Sequence, residues 1–469
     1  MAITTIHTAP LAARALLLAS AACLVAGSFL GASASAATTK QVRDINPGAS
    51  DSEPNAFLDA GGLLIFSAYT PGTGFEPWRS DGTKAGTKLI RDIRSGQISS
   101  LNGSPFIKVG QWTYFVADDG VRGDELWKTK GTAASTKLVR DIEPGPGSSS
   151  PRQFTRRGTT LFFVAANAAK GTELWRTDGS KASTKVVRDI IPGAGEGEPN
   201  HLVNVDGTLY FSANHPTKGR ELWRSRGTAA STKLVKDILP GAADSVPFDL
   251  TGYRGDLYFR VSTPGAGDEL WRSKGTDATT KLFKDILPGP PGSAPRGLVT
   301  IGGRLYFTAS TLAHGRELWR SEGTKPSTKM VRNIGPGGSD GLGLSGSEMA
   351  RIGKTVFFVA EDDKGGELWK TRGTPASTKR VRDINPGAAD AWPGDFAVLR
   401  GVLYFSADDG AVGDELWRSR GTTASTKLVK DIYPGAGDSF PSWLTRVGGK
   451  ILFSAAKPAT SYELWKHVP

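Results

Sequence analysis

Cysteine and histidine are scarce in this sequence, which limits the chemistry that it supports. Cys23 is the only cysteine, and five histidines are spread over 469 residues. The histidines have no metal-ligand spacing, so we predict neither a metal nor another cofactor. No serine stands in a Gly-x-Ser-x-Gly strand–helix setting, and phosphate-binding loops, dinucleotide fingerprints and nucleic-acid modules are absent. These absences favour a binding or structural role over catalysis.

Long hydrophobic runs are missing except at the N-terminus. Residues 1–36 hold one charged residue, Arg14, then an apolar run from Ala15 to Leu30 and a small-residue site at 34–36. This pattern predicts a secretory signal peptide cleaved between Ala36 and Ala37, with a membrane anchor as the alternative. No other stretch has membrane-spanning length. We therefore predict a secreted product without a membrane span, located outside the cell, in the periplasm or on the cell surface.

Acidic residues are fewer than basic ones. The chain has 58 Lys and Arg against 46 Asp and Glu, a formal net charge of +12. A basic secreted protein is attracted to anionic polymers such as acidic polysaccharide. The alternative is that the charge only keeps the protein soluble.

Repetition is what the sequence has in abundance. Glu-Leu-Trp occurs eight times and Glu-Pro-Trp once, at intervals of 48 to 50 residues. A period of this length indicates one structural unit repeated along the chain. The nine periodic tryptophans are Trp78, Trp127, Trp175, Trp223, Trp271, Trp319, Trp369, Trp417 and Trp465.

Each unit contains four short segments with the composition of β-strands. In the unit from Pro247 to Ala294, aromatic and β-branched residues cluster in four runs bounded by Gly, Pro, Asp or Ser. Four antiparallel strands in about 48 residues match one blade of a β-propeller. We therefore predict an all-β fold, in which residues 37–469 form a single β-propeller domain of about nine four-stranded blades.

The two chain ends indicate how the ring closes. The segment from Thr38 to Ile45 matches the fourth strand of a unit, whereas the segment from Glu463 to Lys466 matches the third. The N-terminal strand and the last three strands together make one complete unit. An open stack of repeats would instead carry atypical capping units. We therefore predict that the N-terminal strand pairs with the C-terminal three strands to complete the ninth blade.

The repeat resembles that of the bacterial ELWxxDGT family, also called hyalin-like. Arg79-Ser80-Asp81-Gly82-Thr83 gives the end of the family signature in full, and most other units replace its aspartate with Lys, Arg or Glu. The resemblance covers essentially the whole chain after residue 36. It implies a secreted repeat protein and adds little about chemistry.

The positions that all units share are predicted to be structural. Each tryptophan buries roughly 150–250 Å², which suits an anchor against the neighbouring blade better than a sugar-binding surface. Basic residues recur after the tryptophan and at the start of the fourth strand, and a register symmetric about the turn sets them opposite each other. The same register sets Glu76 opposite Arg91. The candidate basic belt, for repeating anions or only for solvation, is Arg79, Lys88, Lys128, Lys137, Arg176 and Lys185.

The positions that vary between units are the candidates for function. They lie in the loops before the first strand and between the second and third, which share one face of a propeller and are acidic, and in the first strand, which lines the channel. Aromatic and polar residues at this channel mouth suit ligand binding, with channel filling as the alternative. The candidate residues are His201, Phe248, Asp249, Trp392, Asp395 and Trp443.

These observations lead us to expect a secreted, non-enzymatic propeller, and we expect a monomer. Its partner would be an extracellular glycan, an anionic polymer or a protein surface. The first alternative is a secreted polysaccharide hydrolase or lyase that uses carboxylates at the channel mouth. The second is a structural matrix or coat protein. None of the acidic loops has the alternating aspartates of a calcium loop.

Overall fold

The structure, a computed structural model, describes residues 37–48, 50–343, 348–458 and 461–469. The predicted signal peptide, its cleavage site and Cys23 lie outside these residues. The described residues form nine four-stranded antiparallel sheets arranged in a ring, so the predicted nine-bladed propeller is confirmed. In the described part of the chain, no helix has the length and apolarity to cross a bilayer.

Eight of the blades consist of four consecutive strands, and we number them in chain order. Blade 1 consists of β2 (Asn55–Asp59), β3 (Leu64–Thr70), β4 (Gly74–Ser80) and β5 (Lys88–Leu89). Blade 2 consists of β6 (Ile107–Val109), β7 (Trp112–Asp118), β8 (Asp124–Thr129) and β9 (Lys137–Arg140). Blade 3 consists of β10 (Arg152–Arg157), β11 (Thr160–Asn167), β12 (Gly171–Thr177) and β13 (Lys185–Arg188). Blade 4 consists of β14 (Asn200–Val205), β15 (Thr208–His215), β16 (Gly219–Ser225) and β17 (Lys233–Lys236). Blade 5 consists of β18 (Phe248–Tyr253), β19 (Asp256–Thr263), β20 (Gly267–Ser273) and β21 (Lys281–Lys284). Blade 6 consists of β22 (Arg296–Ile301), β23 (Arg304–Thr311), β24 (Gly315–Ser321) and β25 (Lys329–Arg332). Blade 7 consists of β26 (Ala350–Ile352), β27 (Thr355–Asp362), β28 (Gly365–Thr371) and β29 (Lys379–Arg380). Blade 8 consists of β30 (Gly394–Leu399), β31 (Val402–Asp408), β32 (Asp414–Ser419) and β33 (Lys427–Lys430).

Blade 9 joins the two ends of the chain, as predicted. It consists of β34 (Ser442–Val447), β35 (Lys450–Ala455), β36 (Glu463–Val468) and β1 (Thr38–Arg43). β1 pairs antiparallel with β36, so that Lys40 faces Lys466. Most first strands of neighbouring blades contact each other, including β2 with β34 across the closure. The ring is therefore continuous, with the first strand of each blade next to the channel.

The core lies between blades. Each apolar cluster combines residues of two neighbouring sheets, and the closing cluster joins Leu452 and Leu464 of blade 9 to Phe66 and Trp78 of blade 1. Eight periodic tryptophans are at most 9% exposed, and Trp271 is partly buried. The predicted packing role of the tryptophans is therefore confirmed.

The glutamate of Glu-Leu-Trp is buried and does not pair with the arginine of the fourth strand. A register shift between the leucine and the tryptophan places Arg140 opposite Leu126, one residue away from Glu125. The predicted pairing of Glu76 with Arg91 is also wrong, because β5 ends at Leu89 and Arg91 bonds to the next blade. Instead, Glu76 accepts hydrogen bonds from the backbone N–H of Ile93 and from the hydroxyl of Ser100. The motif thus ties the third strand to the loop that leads to the next blade.

Basic side chains connect neighbouring blades. Arg91 donates a 2.8 Å hydrogen bond to the carbonyl of Thr136 in blade 2, and its guanidinium lies 5.8 Å from the ring centre of Trp127. Equivalent bonds from the fourth strand to the next blade are made by Arg43, Arg140, Arg188, Arg332 and Arg382. Much of the repeated positive charge therefore has a structural role.

Candidate functional site

The strand order assigns the loops to two faces of the ring. The loops that enter each blade and those that join its second and third strands lie together on what we call the loop face. The turns that join first to second and third to fourth strands lie on the opposite side, the hairpin face. The six predicted channel-mouth residues all belong to the loop face, where they form two separate groups in blades 4–5 and blades 8–9.

His201, Phe248 and Asp249 form the first group. The rings of His201 and Phe248 meet edge to face with centroids 4.1 Å apart. Burial lowers the pKa of His201, and the nearby Asp249 carboxylate opposes that shift. Burial raises the pKa of Asp249, while the guanidinium of Arg260 opposes the increase. The histidine is therefore held as a neutral ring against an aromatic neighbour.

Arginines beside this group were missed in the sequence. Arg260 lies 4.8 Å from the ring centre of Phe248 and forms an ion pair with Asp268 at 3.1 Å. Arg316 is only 4% exposed and donates a 2.9 Å hydrogen bond to the carbonyl of Ala294. Arginines therefore occupy the side of the loop face near blades 5 and 6, on the face that we predicted to be acidic on balance.

Trp392, Asp395 and Trp443 form the second group. Oδ1 of Asp395 accepts a 2.7 Å hydrogen bond from the backbone N–H of Trp443, which links blades 8 and 9. Trp392 is 64% exposed, and Trp443 and Phe440 are each 47% exposed. Trp392 and Trp443 also have positive φ values of 44° and 58°, a conformation that is costly for bulky residues. Three aromatic surfaces are thus open to solvent on this side of the loop face.

An aspartate that the sequence did not single out lies in the same blade. Asp414, the first residue of β32, faces Asp408 at the end of β31. Its backbone N–H donates a 2.7 Å hydrogen bond to Oδ1 of Asp438. Burial, with the charges of Asp438, Asp408, Glu415 and Asp395, raises the pKa of Asp414 to about 7. Like charges directly opposite each other are destabilising in a sheet, so this arrangement is a candidate for chemistry.

Blade 2 contains a structural twin of this pair that is neutralised. There Asp118 faces Asp124, and Arg94 forms an ion pair with Asp118. The side chain of Asn102 donates a 2.9 Å hydrogen bond to Asp124. In blade 8, Asn385 occupies the place of Arg94 and donates its amide to the carbonyl of Asp390. The carboxylates of blade 8 therefore lack the cation that stabilises their twin.

The basic belt lies on the hairpin face and contains two classes of residue, those after the tryptophan and those of the fourth strand. The strand register sets Arg79 opposite Lys88, as predicted, and sets Lys128 opposite Lys137 and Arg176 opposite Lys185 in the same way. The members after the tryptophan are half-buried. Of these, Arg79 and Lys128 donate hydrogen bonds of 2.9 Å and 2.7 Å to turn carbonyls of the next blade. Lys88, Lys137 and Lys185 are exposed.

No cluster of metal-ligating side chains occurs within the residues that the structure describes. The two candidate groups and the Asp408–Asp414 pair thus offer aromatic surfaces, a neutral histidine and carboxylic acids. Such an arrangement is suited to general acid–base chemistry by side chains.

Comparisons with known proteins place only the fold. No protein-family model matches the chain, and neither does any curated protein. Among solved structures, a puromycin hydrolase is 14% identical with a TM-score of 0.38, and the match covers 76% of this chain and 59% of that one. A puromycin-hydrolyzing peptidase of Mycobacterium tuberculosis is 11% identical with a TM-score of 0.42, covering 77% and 59%. A structure from work on two prolyl endopeptidases is 14% identical with a TM-score of 0.40, covering 69% and 49%.

These similar structures are of a hydrolase and of peptidases, which disagrees with the prediction of a non-enzymatic binding protein. The chain spans 59%, 59% and 49% of the solved chains that it matches. At this identity and TM-score the likeness concerns the fold alone. Any reaction assigned to this chain therefore has to be argued from its own side chains.

Proposed function

We propose that the protein is a hydrolase whose acid–base group is Asp414 on the loop face of blade 8. The observation that carries the proposal is the pairing of Asp414 with Asp408, in which Asp414 has a pKa of about 7. Within the described residues, Oδ1 of Asp414 is buried and has no hydrogen-bond partner. A carboxyl group with a pKa near neutrality is able to give and take a proton under ordinary conditions.

In hydrolysis one carboxyl group acts as the general acid and the other as the general base. Protonated Asp414 donates its proton to the leaving atom as the scissile bond breaks. The carboxylate of Asp408 accepts a proton from the water molecule that attacks the substrate. Asp414 ends as a carboxylate and Asp408 as an acid, and one proton transfer between them through water restores the starting state. General acid–base catalysis of this type contributes about 10²–10⁴-fold in rate.

The exposed aromatic residues define where a substrate would lie. Trp392, Phe440 and Trp443 are exposed at the entrance of blades 8 and 9. The backbone N–H of Phe440 donates to the carbonyl of Asp414, and that of Asp408 donates to the carbonyl of Ala391, the residue before Trp392. Aromatic faces attract apolar and cationic groups, and the neighbouring carboxylates favour positive charge. We therefore propose a substrate that carries an aromatic or cationic group beside the bond that is cleaved.

We also propose that the hydrolase is secreted and acts as a monomer after cleavage between Ala36 and Ala37. The apolar run and small-residue site within residues 1–36 support export. The repeated Glu-Leu-Trp and the Arg79-Ser80-Asp81-Gly82-Thr83 segment support membership of the ELWxxDGT repeat family.

A substrate panel tests the proposed reaction. Residues 37–469 are purified and incubated with chromogenic aryl amides, esters and glycosides that carry aromatic, cationic, anionic or neutral groups, between pH 5 and pH 8. We expect turnover of at least one substrate with an aromatic or cationic group. The Asp414→Asn variant, checked to be folded by its circular dichroism spectrum, should lose that turnover. A folded wild-type protein that turns over none of these substrates would contradict the proposal.

A further inference from the structure

A depression on the hairpin face collects basic residues from three blades. The turns between the first and second strands of blades 5, 6 and 7 border a cavity of about 440 Å³. Its volume lies within the range of small-molecule sites, about 300–1,000 Å³. Five basic residues and one acidic residue, Glu322, line it; the basic residues are Arg254, Arg304, Arg351, Lys354 and Arg372.

The single carboxylate already contacts two arginines. Oε1 of Glu322 lies 3.0 Å from Nε of Arg304 and 2.6 Å from Nη1 of Arg320. Side-chain hydrogen bonds from both arginines lower the pKa of Glu322. It therefore stays ionised and balances one of these two guanidinium charges, which leaves the cavity with a strong positive excess.

Several of the cations have no carboxylate partner. The side chains of Arg351 and Lys354 make no hydrogen bond or ion pair to any described residue. Arg372 uses only Nε, which donates a 3.3 Å hydrogen bond to Thr355. Arg254 donates to the backbone carbonyl of Glu322 at 2.9 Å. Four positive charges thus face one cavity, with most of their hydrogen-bond donors free.

This cavity differs from the smaller basic grooves of the repeat. A typical groove, of about 310 Å³, is lined by Arg418, Arg420 and Lys427 of one blade, and its basic residues recur at the same positions of other blades. Arginine recurs at the position of Arg254 in Arg400, and one position earlier in Arg157. The larger cavity nevertheless combines turns of three blades, and at the position of its Arg304 blade 5 has Asp256. Its charge is therefore a local property of blades 5 to 7.

We propose that this cavity binds a compact polyanion of linked phosphate groups, such as a diphosphate. Planar guanidinium groups match phosphate oxygens with paired hydrogen bonds, and a lysine adds a point charge. Four cations around one cavity suit a ligand with several negative charges better than a single carboxylate. The site is on the opposite face from Asp408 and Asp414, so it does not depend on the proposed hydrolysis.

Titration calorimetry with inorganic pyrophosphate tests the site on the protein of residues 37–469. We expect one binding site per chain, with an affinity that falls as salt is raised from about 50 to 200 mM. The double variant Arg351→Gln with Lys354→Gln should bind at least about tenfold more weakly, because it removes charge-assisted hydrogen bonds. The matched control Arg420→Gln with Lys427→Gln changes a single-blade groove and should bind within about twofold of wild type. Inorganic phosphate and citrate, run in parallel, should bind more weakly than pyrophosphate.

Four results would overturn the proposal. The first is the absence of measurable heat with pyrophosphate at millimolar concentration. The second is a stoichiometry near nine, which would assign binding to the repeated grooves. The third is equal binding by the two double variants, each folded as judged by its Tm. Citrate that binds as tightly as pyrophosphate would also contradict the phosphate assignment.

Discussion

Ser100 donates a 2.6 Å hydrogen bond to the buried carboxyl group of Glu76, and this pair links one blade to the loop that enters the next. The same serine–glutamate bond recurs at Ser149, Ser245, Ser293 and Ser439. Three units lack the serine and have Gly197, Gly341 and Ala391 instead. In those units an oxygen of Glu173, Glu317 or Glu367 is buried without a partner.

Restoring a missing serine should therefore stabilise the ring. Ala391→Ser places a hydroxyl where Ser439 donates a 2.7 Å hydrogen bond to Glu415 in the next unit. We expect the free energy of unfolding to rise by about 1 kcal/mol, the net value of one such bond. The reverse change, Ser439→Ala, should lower it by a similar amount. Denaturant unfolding followed by tryptophan fluorescence measures both, and a destabilised Ala391→Ser would contradict the assigned role.

The buried glutamates predict how stability depends on pH. Burial is the main cause of the raised pKa of all nine glutamates. It raises the pKa of Glu173 to about 8 and also raises the pKa of Glu269 and Glu415. The pKa is raised to about 7 for Glu76, Glu125, Glu221, Glu317, Glu367 and Glu463. At pH values between the glutamate pKa of the unfolded chain and that of the folded chain, the folded chain binds more protons than the unfolded chain. Stability should thus be greatest when these groups are protonated and fall as pH rises towards 7 or 8.

Thermal unfolding between pH 5 and pH 8 measures this effect. We expect Tm to decrease across the range and Glu76→Gln to make the decrease smaller. His467 acts in the opposite direction, because burial lowers its pKa to about 4, so its contribution is lost as pH falls below the unfolded value. A Tm that rises with pH would show that the glutamates are ionised in the folded protein.

Lys128 and Lys137 face each other but should differ in their effect on stability. Lys128 donates a 2.7 Å hydrogen bond to the carbonyl of Gly179 and lies 4.1 Å from the ring centre of Trp112. Lys137 is exposed. Lys128→Met should lower the free energy of unfolding by about 1–2 kcal/mol, whereas Lys137→Met should change it by less than about 0.5 kcal/mol. Equal effects in denaturant unfolding would contradict the division of the basic belt.

Ring closure predicts a specific cross-link. Lys40 of β1 faces Lys466 of β36, and residues directly opposite in antiparallel strands have Cα atoms about 4.5–5.5 Å apart, within reach of a disulfide. The protein of residues 37–469 has no cysteine of its own. The double variant Lys40→Cys with Lys466→Cys should therefore form an intramolecular disulfide on mild oxidation. The control pair Lys40→Cys with Lys427→Cys, on different blades, should leave both thiols free, and thiol titration distinguishes the two.

The architecture was predictable because the repeated unit can be recognised within this one sequence. Nine tryptophans at a regular interval indicated nine units, and the lone fourth strand before Asp44 indicated the closure. The role of Glu76 was not predictable, because nothing in the sequence shows that β5 ends at Leu89, two residues before Arg91. A symmetric hairpin that continued past Leu89 would pair Glu76 with Arg91, whereas Glu76 is buried against Ser100.

The candidate site was predictable only in part. Asp395 and Trp443 were singled out because their positions vary between units, and the structure joins them by a hydrogen bond. Asp414 was overlooked because the same aspartate begins Asp-Glu-Leu-Trp in blade 2. The difference between the two lies in Asn385, which replaces Arg94 earlier in the chain, and only the folded structure brings that position beside the carboxylates.

The most direct test of the proposed hydrolysis compares the two aspartate pairs. Initial rates are measured on the best substrate of the panel for wild type, Asp414→Asn and Asp124→Asn, from pH 5 to pH 8. We predict that wild-type activity declines as pH rises through about 7, where Asp414 loses its proton. Asp414→Asn should lower the rate by about 10²-fold or more, the contribution of a general acid. Asp124→Asn should retain the wild-type rate, and equal activity of the two variants would contradict the assignment of Asp414.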